Sequence, residues 1–365
     1  MRPFRSTLIL ATLSIVLAAC GPSEPLRLGL LGGPDAAARN GFGLAIEQGR
    51  LVGVQGRPLE GIASEPALDA ETARARAGEL VAAGVAAIVM PADTALVTAV
   101  LPIAEAAGIP VVGTMATATA LGGRDDHFFR NVPDTAALAG RSMHHLATKH
   151  GVRRIALIHR ADAGPDTADW LASARQAVAA AGGSLVAEVA LAGEDHAAAI
   201  DSGLSHAPEA LWLITGAADT ARLAVRLAER RETQRDGQAP RLPGILPAAG
   251  EALIETGGAA VEGIAIAAAF DASDSSPENQ AFQKAYSARF GEAPNIAAMA
   301  AYDATRVVLQ ALGRGHSGKP ARRALLDHAP YAGVQQPIAF DRNGDLERAR
   351  IHVVEVREGR FVRAD

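Results

Sequence analysis

Short apolar runs alternate with longer amphipathic stretches along most of this chain. That alternation restricts its fold more than any other feature. Leu26 to Leu31 reads as a strand, and Asp69 to Ala83 as a helix. On that helix Ala73, Ala77, Leu80 and Val81 share one face, while Arg74, Arg76 and Glu79 face water. Gly84 follows as a C-terminal cap. Val85 to Met90 is a strand, Thr94 to Ala107 a helix closed by Gly108, and Ile109 to Gly113 a strand. The pattern resumes with Arg154 to His159 (strand), Ala168 to Ala181 (helix, closed by Gly182), Ser184 to Val189 and Ala210 to Thr215 (strands), and a helix from Asp219 to Arg231. Strands alternating with helices over this length imply an α/β fold with parallel sheets and helices on both faces. The strands are apolar on both faces and run into small or polar residues, as in open doubly wound sheets, whose ligands sit beyond the strands' carboxyl ends. The 365 residues fit two domains. One α/β block precedes Arg130 and one follows it, with the non-periodic Phe128-Phe129-Arg130-Asn131-Val132-Pro133-Asp134 between them.

The first residues stand apart from that pattern. Arg2 and Arg5 form a short basic region, and Leu8 to Ala19 is apolar except for Thr12 and Ser14. The run is too short to span a bilayer and has the form of a secretory signal. It ends at Leu17-Ala18-Ala19-Cys20, and Cys20 is the chain's one cysteine. The segment resembles a bacterial lipobox, which implies a signal peptide over 1–19 and a lipidated tether over 20–25. The alternative is a plain signal peptide beside an unmodified cysteine. Gly21 rather than Asp follows the cysteine, so outer-membrane sorting is the expectation in a Gram-negative host. A lone cysteine excludes an internal disulfide and a Cys-based zinc site. No later segment reaches 18 uninterrupted apolar residues, so the expectation is a soluble body on a lipid anchor. The net charge of −5 argues against nucleic acid as a partner, since neutralising phosphates needs a basic face.

Several landmarks, taken in order, resemble the periplasmic leucine/isoleucine/valine-binding protein family, the type I solute-binding fold. Asn40 to Glu47 is similar to its first-helix segment, and Leu80 to Val89 to its second helix and strand. Ala104 to Val112 with Ala116-Thr117 resembles its third unit, and Phe129-Arg130-Asn131-Val132-Pro133 its first interlobe crossing. Val261-Glu262-Gly263, Phe282 to Pro294, Ala300 to Ala304 and Ile338 to Asp345 fit the later part. The resemblance covers about Leu26 to Phe361. It implies two doubly wound parallel-sheet lobes joined by three crossings, near Asn131, Phe270 and Val334. Lobe 1 would hold 26–130 plus 271–333, and lobe 2 would hold 131–270 plus 334–365. A small ligand would sit in the cleft between lobes that close by a hinge.

In that family an amino-acid carboxylate is held by hydroxyls and backbone N–H groups of the first lobe. Helix N-termini suit this role, since they carry free donors and partial positive charge. By resemblance, Thr94 in Met90-Pro91-Ala92-Asp93-Thr94 falls on a carboxylate-binding hydroxyl. Gly113-Thr114-Met115-Ala116-Thr117 matches the second ligand loop, which makes Thr114, Met115, Ala116 and Thr117 candidates beside it. The alternative for Thr94 and Thr117 is plain N-capping. The chain also departs from the family. Its first ligand loop, Gly32 to Arg39, lacks the usual aromatic, and Arg160 to Asp166 replaces a tyrosine-glycine segment. The acidic residue for the ligand ammonium aligns near Leu246. Asp162, Asp166 and Asp219 are the substitutes in reach of the pattern, so the ligand class widens to amino acids and related small acids or amides.

Other signals carry less. Gly313 to Lys319 matches G-x-x-x-x-G-K, but Pro320 stands where Ser or Thr should hold magnesium and a helix precedes it. Asp341, Asn343 and Asp345 imitate a calcium loop, yet Asn343-Gly344 reads better as a hairpin turn. His144, His145 and His150 lack a third ligand on a shared face. No nucleophile elbow is present, so neither an enzyme nor a cofactor nor a metal is expected. The expectation is a periplasmic solute-binding lipoprotein delivering its ligand to an ABC permease. The alternative is a lipoprotein that uses the same fold as a regulatory or protein-interaction module at the cell envelope.

Overall fold

The computed structural model describes residues 24–161, 164–233, 239–315 and 320–365. Cys20 with its leader, Asp162 and most of the G-x-x-x-x-G-K stretch lie outside the described residues. The first half runs β1 (Leu26–Leu30), α1 (Ala36–Val52), β2 (Leu59–Ala63), α2 (Ala70–Ala82), β3 (Ile88–Met90), α3 (Thr94–Ala106), β4 (Val111–Gly113) and β5 (Phe128–Arg130). These strands form one parallel sheet in the order β2-β1-β3-β4-β5. The order reverses between β1 and β3, the place where such sheets open a crevice at their carboxyl ends.

The second half runs α4 (Thr135–His150), β6 (Arg154–Arg160), α5 (Pro165–Ala180), β7 (Ser184–Leu191), α6 (His196–Leu204), β8 (Ala210–Ile214), α7 (Ala217–Thr233), β9 (Pro243–Gly244), α8 (Glu251–Gly257) and β10 (Ala265–Ala268). It continues with α9 (Pro277–Phe290), α10 (Ile296–Arg314), α11 (Ala321–Asp327), β11 (Tyr331–Ala332), β12 (Pro337–Ile338), β13 (His352–Arg357) and β14 (Arg360–Arg363). Strands β7-β6-β8 are parallel, and a parallel bridge from Ala210 to Arg241 leads on to β9-β10. The second sheet is not parallel throughout: β13 and β14 join β10 antiparallel at its far side.

Alternation along each strand sends side chains to two helix layers. Leu28, Leu30, Val89, Val112 and Phe129 pack with Phe42 and Ile46 of α1 and Val307, Val308 and Ala311 of α10. Ile88, Met90, Val111 and Phe128 point the other way, against Ala73, Ala77 and Leu80 of α2 and Val97 and Val100 of α3. The second sheet repeats the plan. Leu157, Trp212 and Ile266 meet α4 and α5, while Ala156, Ile158, Leu211 and Leu213 meet α6 and α7. Aliphatic side chains make up most of both cores, and the few aromatics are concentrated there, Phe128 and Phe129 in the first and Trp170 and Trp212 in the second. Helix α5 starts three residues before the expected Ala168 because Gly164 and Pro165 supply its N-cap and first turn.

The chain passes between the sheets three times. Residues 131–134 lead from β5 to α4, and Asn131 Nδ2 donates to the Ala300 carbonyl there at 2.8 Å. Residues 269–276 lead from β10 to α9. The third passage lies later than Val334. Val334 N–H donates to both oxygens of buried Asp303, at 3.0 Å each, and Gln335 pairs with the Asp271 backbone. The chain then turns back to the first sheet. Ile338 and Phe340 join its core, and Phe340 meets Phe129 edge-on at 5.1 Å. Arg130 N–H donates to the Gly344 carbonyl at 3.1 Å. Residues 347–351 then lead to β13. The run at 337–340 falls within the stretch expected in lobe 2, and its packing partners belong to the first sheet. Burial pushes the Asp303 carboxyl up to about 7, so the group that fixes this passage is held in a dry interior.

Candidate functional site

The carboxyl ends of β3 and β4 are tied together where the first sheet meets α5. Thr114 N–H donates to the Met90 carbonyl at 3.2 Å, and Ala92 N–H to the same oxygen at 3.0 Å. Thr94 opens α3 but does not cap it. Asp93 is the N-cap, and its carboxylate accepts the Leu96 N–H at 2.9 Å. Thr94 is thus a first-turn residue whose amide has no partner within its own helix. Its hydroxyl is buried and has no hydrogen-bond partner, and the same holds for Thr114 on the neighbouring strand end.

Thr117 does not cap either. The short 3₁₀ turn at Thr119–Leu121 has Ala118 at its N-cap and no side-chain cap. Thr117 is instead tied to the start of α4. Its carbonyl accepts the Thr135 N–H at 2.8 Å, and its carbonyl and hydroxyl oxygens both receive the Thr135 hydroxyl at 3.0 Å. Ala116 is buried and Met115 half-buried between these anchors. The structure therefore gathers Thr94, Thr114, Met115, Ala116 and Thr117 on two adjacent loops.

Sequence patterning gave no sign of what holds the second loop. Arg130, only 3% exposed, lies beneath it at the end of β5. Its Nη1 donates to the Ala118 carbonyl at 3.0 Å, and its Nη2 pairs with Asp345 at 2.8 Å. Asp345 in turn accepts the Gly123 N–H at 2.6 Å. The Asp341-to-Asp345 turn that imitated a calcium loop is a hairpin. Asp341 Oδ1 accepts the Asn343 and Asp345 amides, and Gly344 has φ +89°. Among the described residues no cluster of His, Cys, Asp and Glu could hold a metal ion. Buried His145 faces His150 edge-on at 5.3 Å, and desolvation lowers its pKa to about 4.

The second half closes over this edge through α5. Asp166 Oδ2 accepts the Thr94 N–H at 3.2 Å. One turn on, Asp169 accepts the Thr119 N–H at 3.0 Å and the Thr119 hydroxyl at 3.2 Å. Burial raises the Asp166 pKa against the pull of the Thr94 backbone N–H, and the nearby Asp93 and Asp169 carboxylates raise it further. Asp219 is committed elsewhere, to His196 at 2.9 Å, Arg160 at 3.6 Å and Arg222 at 3.8 Å. Leu246 is buried and apolar.

A family model described as periplasmic binding protein matches residues 28–360. Among solved structures, the leucine binding protein LivK from Thermotoga maritima superimposes with a TM-score of 0.82 at 20% identity, covering 93% of this chain and 98% of its own. An ABC transporter substrate-binding protein from Desulfitobacterium hafniense in complex with Leu gives 0.80 at 21% identity, over 93% and 100%. A solute binding protein of an ABC transporter from Rhodopseudomonas palustris, in complex with 3,4-dihydroxy benzoic acid, gives 0.79 at 23% identity, over 93% and 96%. At these identities the likeness is one of fold. No curated protein matches the chain.

Proposed function

The chain belongs to the periplasmic binding protein family of the leucine/isoleucine/valine-binding type, and on that premise we propose that it captures a small solute between two lobes and delivers it to an ABC permease. The first lobe comprises 26–130 with 271–346, and the second 131–270 with 347–365. One observation carries the reading. The Thr94 and Thr114 hydroxyls are buried and unpartnered at the carboxyl ends of adjacent strands, where α5 meets the first sheet. Buried polar groups are normally paired, and a solute would supply the missing partners. Capture needs no chemistry on the solute. It needs a ligand that favours the closed arrangement over the open one.

A thermal-shift screen of the purified protein against amino acids, short acids, amides and amines tests this. A true solute at 100 times its Kd stabilises by about 2.7 kcal/mol. For that solute, Thr94→Ala with Thr117→Ala weakens binding at least about tenfold, or roughly 1.4 kcal/mol. Unchanged affinity removes both residues from the site. A silent screen across the whole library favours the interaction-module alternative.

The envelope location rests on the leader. The Leu17-Ala18-Ala19-Cys20 sequence supports acylation of Cys20 and periplasmic exposure on a membrane, the outer one in a Gram-negative host. Labelled palmitate should enter the protein and be absent from Cys20→Ala, which should fractionate as soluble. Equal labelling of both would end the anchor assignment.

A further inference from the structure

The N-terminus of α3 is occupied by the chain itself. Asp166, in the first turn of α5, spans the meeting of the lobes, and its Oδ2 accepts the Thr94 N–H. That amide is a free donor at the positive end of a helix, the kind of place that attracts a solute's carboxylate. Here a protein carboxylate already holds it. The other oxygen, Asp166 Oδ1, is buried with no hydrogen-bond partner. The hydroxyl of Thr94, a residue only 6% exposed, is likewise buried with no hydrogen-bond partner.

The surroundings sharpen the point. Asp93 and Asp169 flank Asp166 closely enough to act on its charge. Asp93 is spent on capping α3 and Asp169 on Thr119. Among the described residues none of the three carboxylates takes part in an ion pair, although such pairs are frequent elsewhere on the surface. A second carboxylate brought to this corner would face three of its own sign in a partly desolvated place. A cation with N–H donors would supply what Oδ1 and the hydroxyls lack.

We propose that the solute presents an ammonium group, and no carboxylate, to the α3 N-terminus, and that Asp166 is the residue that sets this preference. Asp166 Oδ2 stays on the Thr94 amide, Oδ1 accepts one ammonium N–H, and the Thr94 hydroxyl accepts another. This deepens the solute-binding reading and rests on it.

Two probes of one carbon skeleton and opposite charge test the assignment by calorimetric titration: 3-methylbutylamine and 3-methylbutanoate, with leucine as the probe carrying both groups. The native protein is expected to bind the amine at least tenfold more tightly than the carboxylate. Asp166→Asn should lose at least tenfold in amine affinity. Asp166→Ala, which uncovers the α3 amide, should reverse the order of the two probes. Circular dichroism melts confirm that each variant is folded. A native preference for the carboxylate or leucine that survives in Asp166→Ala overturns the assignment and leaves solute binding standing. Silence of all three proteins toward all three probes overturns it as well. The broad screen described above then decides separately whether the cleft takes any solute.

Discussion

Replacing Arg130 by methionine should cost about 3–5 kcal/mol of stability and loosen the 114–118 loop. The guanidinium is almost fully enclosed and serves four partners at once. It donates to the Thr117 and Ala118 carbonyls, pairs with Asp345 at 2.8 Å, and lies 3.7 Å from Asp134. Methionine fills much of the space but leaves a half-buried carboxylate and two carbonyls without their donor. The loop it braces carries four of the five candidate ligand residues, so solute affinity should fall along with stability. Urea unfolding of the variant measures the first effect and titration with the identified solute the second. Asp345→Asn in the same background should restore part of the stability, because it removes the stranded charge. A loss below about 1 kcal/mol would show that the pair is screened and that the loop stands without it.

A comparable effect is expected from one methyl group on α1. Glycine inside a helix normally costs about 0.5–1 kcal/mol relative to alanine, so Gly→Ala there is usually stabilising. At Gly41 the sign inverts. A Cβ would stand 2.0 Å from the Ala298 carbonyl oxygen and 2.9 Å from its carbon, both backbone atoms of α10. Helices α1 and α10 cross there through small residues, with Ala38, Ala297 and Ala301 closing the contact. Gly41→Ala must push the helices apart over the core of the first sheet, with an expected loss above about 3 kcal/mol. Gly43, two residues on in the same helix, has nothing within 4 Å of its Cβ position. Gly43→Ala should gain up to about 1 kcal/mol. Similar melting temperatures for the two variants would refute the close crossing.

The local elements were legible because each is written in a short window. Leu26, Leu28 and Leu30 alternate with the strand period and are buried. The α2 stripe of Ala73, Ala77 and Leu80 repeats at the helical period and is buried. Glycines at 84, 108 and 182 take positive φ where the helices end, since a residue without Cβ enters that region freely. The same windows failed at the third passage, where an apolar strand-like run gives no sign of which sheet it covers. They left capping open as the alternative role of Thr94 and Thr117, and only the structure shows that Asp93 takes the cap of α3 and that Thr117 is bound to Thr135.

Sequence by itself determined the alternating α/β plan, the apolar faces and the loops at the strand ends, because hydrophobic periodicity and turn chemistry act between near neighbours. Tertiary structure alone decided that Asp166 meets Thr94 across 72 residues and that Arg130 finds its charge partner in Asp345. A carboxylate or a guanidinium carries no periodic signal of its partner. Its pairing is fixed only when packed elements bring two desolvated groups within hydrogen-bond reach and leave neither another choice.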